Sequence, residues 1–153
     1  MSLAASIHDL KILVQSFHPI IAMETVEEER VENVLKAVTG DMKIPLFEWT
    51  VSRGLYLSPG SSFSPQMNDF AAPDATQITA YDNTQKPLEV LRYIENRDRR
   101  SVYLLKDFSD YLRDDEVSRQ VRELVRQLRN NRGTLVLTGS KLDLPSAIAH
   151  ESV

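Results

Sequence analysis

The chain has 153 residues, with 18 lysines and arginines against 22 aspartates and glutamates and a net charge of −4 at pH 7. That length fits one compact domain with its own core, and the acidic balance excludes a global pull toward nucleic acid while leaving room for local basic stripes. The absence of cysteine excludes disulfides, thiolate nucleophiles and cysteine-based zinc sites. No apolar run approaches the ~20 residues of a membrane span, and the N-terminus, with His8, Asp9 and Lys11, has no signal-type core. A cytoplasmic or stromal protein is expected, with no membrane partner.

The first predicted element is an amphipathic helix over residues 3–17, where Ile7, Leu10, Val14 and Phe17 recur at helical spacing before His18 and Pro19 discourage continuation. Residues 19–24, PIIAME, read as a buried parallel strand, and residues 26–38 switch to a helical period through Val31, Val34, Leu35 and Val38. IPLFEWTV, residues 44–51, is rich in strand formers, and Trp49 is expected in core or sheet packing. Residues 58–76, rich in serine and proline, read as a flexible surface loop. Pro87 to Asn96 resumes helical spacing through Leu88, Leu91 and Ile94, and SVYLLKD, residues 101–107, is a further buried strand. Asp114, Asp115 and Glu116 open a helix whose buried face is Val117, Val121, Leu124, Val125 and Leu128, and TLVLT, residues 134–138, is the last apolar strand. Strands alternating with helices imply a single α/β domain over residues 1–153, a three-layer fold with a mostly parallel sheet and helices on both faces.

A nucleotide-binding domain of this shape would carry a glycine-rich phosphate loop after its first strand, because backbone N–H groups must converge on the phosphates and a lysine must reach the outer ones. The sequence there is TVEEER, and the five glycines, at 40, 54, 60, 133 and 139, assemble no such pattern. Thr25 and Glu28 instead match a capping box, in which each side chain satisfies a backbone donor of the first helical turn. Glu27, Glu28 and Glu29 crowd the helix start with charge that repels a triphosphate.

PIIAMETVEEER, WTVSRGL, VYLLKDF and TLVLTGS with the following LDLP form an ordered set. It resembles the N-terminal region of the AAA-type ATPases encoded by an open reading frame of cyanobacterial and algal plastid genomes. The resemblance implies a degenerate P-loop-type domain that precedes an ATPase module with intact Walker motifs, so the chain is expected to be an excised N-terminal domain or a short relative standing alone. It also places Asp107 at the Walker B position, with Phe108 where a catalytic glutamate belongs, and Thr138 or Ser140 near the sensor-1 position. Without a phosphate-binding lysine, a glycine loop or that glutamate, hydrolysis by this domain is not expected. No cofactor is expected. A simpler reading of Asp107 is a carboxylate that caps the following turn near Ser109.

Arg119, Arg122, Arg126 and Arg129 recur at helical spacing opposite the apolar face of their helix, with Arg132 extending the row. They read as a solvated face paired with Glu123 and its neighbours, or as a docking face for an acidic protein partner. Arg97, Arg99 and Arg100 share this ambiguity. His8, His18 and His150 lack metal-site spacing. Glu24, Asp107, Thr138 and Lys141 mimic parts of a receiver-like signalling domain.

The sequence therefore reads as a non-catalytic regulatory or interaction domain, with a nucleotide pocket near Asp107 and Thr138 or a receiver-like role as alternatives. Its expected partner is a protein or the ATPase module of the same protein, and nucleic acid is not expected. In P-loop folds of this type the first strand lies between TLVLT and a fifth strand, which the resemblance places beyond residue 153. Residues 19–25 are then an open edge through which a homodimer is expected.

Overall fold

The computed structural model of the chain describes residues 7–59, 80–97 and 99–140. Its elements in chain order are α1 (Ile7–Gln15), β1 (Ile20–Glu24), α2 (Glu28–Met42), β2 (Leu46–Thr50), β3 (Gly54–Leu57), α3 (Pro87–Glu95), β4 (Val102–Leu105), a 3₁₀ turn (Phe108–Arg113), α4 (Asp115–Asn131) and β5 (Thr134–Gly139). The five strands form one sheet in the order β1-β5-β4-β2-β3, parallel except for β3, which runs antiparallel to β2. The fold is the expected mostly parallel α/β sheet. Its four parallel strands also take the expected P-loop-type order, with the first strand beside TLVLT.

That order corrects the receiver-like alternative. In the doubly wound fold of receivers the first strand lies inside the sheet, between the second and third. Here β1 pairs with β5 alone among the described residues, so Glu24 and Asp107 stand two strands apart, separated by β5. Lys141 and most of the expected 58–76 loop lie outside the described residues.

Successive strand residues point to opposite faces, and each face receives its own helices. Ile21, Met23, Leu46, Val102, Leu104 and Val136 meet α1 and α2 through Leu10, Val14, Val31, Leu35 and Val38. Phe47, Trp49, Tyr103, Leu105, Leu135 and Leu137 meet α3, α4 and the 3₁₀ turn through Leu91, Phe108, Val121 and Leu124. Each fully buried large apolar side chain stabilises the fold by roughly 1.5–3 kcal/mol. Trp49 is wholly buried, edge-on to Phe108 at 5.3 Å, and its Nε1 donates to the Thr84 carbonyl at 2.6 Å.

Two features were not anticipated. β3 pairs Leu55 with Trp49 and Leu57 with Phe47, and it begins at Gly54, whose φ of +86° suits glycine and where a Cβ would lie 2.7 Å from Thr84 Oγ1. Phe17, expected on the buried face of the first helix, lies beyond α1 at φ +62° and is 37% exposed.

Candidate functional site at the carboxyl end of the sheet

In open α/β sheets, ligands enter the crevice at the carboxyl ends of the strands, where connections leave toward opposite faces. Here β1 turns into α2 on one face and β4 turns through the 3₁₀ turn into α4 on the other, with β5 between them. The β1–α2 connection is only Thr25, Val26 and Glu27. Thr25 N–H donates to the Gly139 carbonyl at 2.9 Å, which continues the β1–β5 ladder and leaves no cradle of free N–H groups at this residue.

The capping box is corrected by the same geometry. The N-cap residue is Glu27, with no side-chain cap hydrogen bond, and Thr25 Oγ1 accepts from the Glu27 N–H at 2.9 Å just ahead of the helix. Thr25 still belongs to the sheet ladder and cannot serve as N-cap. Glu28 does not reach back to it. Its Oε2 is buried without a hydrogen-bond partner, and burial, then the nearby Asp107 carboxylate, push the Glu28 pKa above its usual value against the pull of Lys106.

Lys106 follows β4 on the α2 side of the sheet. Its Nζ forms ion pairs with Glu32 of α2 and, at 2.8 Å, with Glu48 of β2. Glu48 is 2% exposed, and its other oxygen accepts from Ser58 Oγ. Burial alone would lower the Lys106 pKa, but the hydrogen bonds to Glu32 and Glu48 outweigh it and hold the ammonium charged well above the ordinary lysine range. Glu28, Glu32 and Glu48 thus surround one lysine, with Asp107 beside Glu28. The surplus of negative charge disfavours a polyphosphate, and the lysine that could meet one is already held.

The structure brings the two expected site residues together through the backbone. Asp107 is exposed at φ +54°, and its N–H donates to the buried Thr138 Oγ1 at 3.3 Å. Its carboxylate makes no capping hydrogen bond to the 3₁₀ turn, which corrects the capping reading through Ser109. The helix start nearby is capped by Asp114, which accepts from the N–H groups of Glu116 at 2.8 Å and Val117 at 3.3 Å. Arg119, Arg122, Arg126 and Arg129 are all exposed on α4, with Arg119 paired to Glu123 at 3.3 Å. Sequence reasoning missed Glu48 and Lys106. The available signal was one carboxylate inside the apolar run IPLFEWTV and one lysine ending VYLLK.

A family profile described as the SpoVK-like AAA ATPase, N-terminal domain, matches residues 6–153. The chain belongs to this family. It is 32% identical over 142 residues to the uncharacterized AAA domain-containing protein ycf46 of Guillardia theta, a match that covers 91% of this chain and 24% of that protein. The proteins of the same description from Trieres chinensis and Pyropia yezoensis are 25% and 26% identical over 143 residues, each match covering 92% of this chain and 25% of the relative. The chain spans about a quarter of the length of these relatives. No solved structure matches it.

Proposed function

We infer that this domain is the non-catalytic regulatory and docking part of an AAA-type ATPase and that its degenerate phosphate site holds no nucleotide. The observation that carries this reading is the state of Lys106, the cation at the end of β4, which is held by Glu32 and Glu48 while Glu27, Glu28 and Glu29 occupy the helix start where phosphate would sit. No catalytic base is expected next to Asp107, since Phe108 follows it and is buried in the core. Its partners in this reading are the ATPase module of the same protein or another protein, met in the cytoplasm or a plastid stroma. Two surfaces suit such contacts. The outward N–H and C=O groups of Ile20 and Ala22 on the β1 edge take no strand partner among the described residues, which suits strand pairing with a neighbouring module or a second copy. The α4 arginines form an exposed cationic row.

Calorimetric titration of ATP–Mg²⁺ and of ADP into the chain tests the reading. It expects no binding in the micromolar range. Micromolar binding lost on Asp107→Asn would overturn it in favour of a pocket near Asp107 and Thr138.

A further inference from the structure

The amino end of the sheet carries a second charged site of opposite sign. Phe17 precedes β1, Arg100 precedes β4 and Arg132 precedes β5, so three connections converge at one edge. The Arg100 Cζ lies 4.3 Å and the Arg132 Cζ 5.1 Å from the centroid of the half-exposed Phe17 ring. Two like charges thus share one aromatic ring, each attracted to it and repelled by the other. No carboxylate lies within ion-pair distance of either among the described residues. Arg100 Nε and Nη2 are buried and have no acceptor among the described residues, and burial followed by the Arg132 charge lowers the Arg100 pKa. By contrast, Arg97 donates from Nε to the Tyr103 hydroxyl at 3.1 Å and lies over the Phe47 ring.

We propose that this edge is a docking site for an acidic segment of a protein partner, with a carboxylate received by Arg100 and Arg132 beside Phe17. The Nε and Nη2 donors of a guanidinium form one side of its fork, and that side matches the two oxygens of a carboxylate. A buried donor left without an acceptor is costly, and a carboxylate supplies both the acceptor and the missing counter-charge. Arg132 and Arg99 are exposed, so an incoming chain meets positive charge first, and Phe17 offers apolar area to its backbone. Nucleic-acid affinity depends on neutralising several phosphates together, whereas this site offers a compact pair of guanidiniums on a chain of net charge −4.

Fluorescence anisotropy with a labelled hexaglutamate peptide tests the site in the chain as it stands. Binding should weaken as salt rises and fall about tenfold in Arg100→Met and in Arg132→Asn, the loss of one charged bidentate contact. Asparagine tolerates the positive φ of 61° at position 132, so that variant keeps the test valid if Arg100→Met fails to fold. Arg53→Gln, at the β2–β3 turn, should leave binding unchanged. Absence of hexaglutamate binding, or full affinity in both variants, overturns the proposal, as does tighter binding of a hexathymidylate. The site rests on the docking reading of the domain, but the outcomes separate: micromolar ATP–Mg²⁺ binding at the carboxyl end would sink that reading alone, and loss of the peptide result would sink this site alone.

Discussion

The two ends of the sheet solve the same electrostatic problem in opposite ways. At the carboxyl end, Lys106 is enclosed by Glu32 and Glu48, and the charges are largely settled inside the domain. At the amino end, Arg100 and Arg132 share the Phe17 ring and find no carboxylate among the described residues. A fold of this type ordinarily receives its ligand at the carboxyl end. Here Lys106 is held in internal ion pairs and the unfilled capacity, at Glu28 Oε2, is that of an acid, while at the amino end the unfilled groups are the Arg100 donors. A shared fold therefore does not say which end of it is in use.

The largest effect should come from breaking the closed end. Lys106→Met leaves Glu48 buried and unpaired and should destabilise the domain by about 3–5 kcal/mol, read from urea midpoints. Lys106→Met with Glu48→Leu should recover most of that loss, because Glu48 is the fully buried charge that Lys106→Met leaves uncompensated, whereas Glu32 keeps partial access to water. Asp114→Ala, which strips the N-cap of α4 at the same end, should cost about 1 kcal/mol. At the open end, Arg100→Met should change stability by no more than about 1 kcal/mol, since only the contact with the Phe17 ring and no hydrogen bond or ion pair is lost; a loss of several kcal/mol would show that Arg100 is satisfied from within.

The smallest effect concerns pH. Because the Glu28 pKa is raised in the folded state, its contribution to stability is present below the unfolded value near 4.5 and is lost as pH rises through the folded value. Glu28→Gln should therefore raise neutral-pH stability by less than about 1 kcal/mol after solvent screening. It should also flatten the pH dependence just above pH 4.5. An unchanged melting profile from pH 4 to 7 would contradict the crowding of carboxylates around Lys106.

Most of the fold was legible because the parallel strands are buried on both faces and so read as apolar runs, while α4 carries a clean apolar stripe. β3 was hidden because GLYL is short and leads directly into the serine- and proline-rich stretch. The capping motif misled because T-x-x-E records composition only, whereas Thr25 is bound into the sheet by its N–H to Gly139. Asp107 and Thr138 were singled out by position, and the contact that joins them runs through a backbone N–H that no side-chain pattern reveals. The ionic cluster was only half legible. Glu48 and Lys106 stand out in apolar runs, but their pairing depends on β2 lying beside β4, and a single chain does not announce its strand order. Arg97, Arg99 and Arg100 were visible as a cluster, and only the fold separates Arg97, bonded to Tyr103, from Arg100.

The central claim is that the carboxyl end is closed to nucleotide, and mapping ATP–Mg²⁺ on the ¹⁵N-labelled chain by amide chemical shifts tests it most directly. The account predicts that amides of residues 25–30 and 106–109 stay in place up to millimolar nucleotide, with any weak shifts confined to residues around Phe17, Arg100 and Arg132. Saturable shifts at Thr25, Glu28, Asp107 and Thr138 would contradict it.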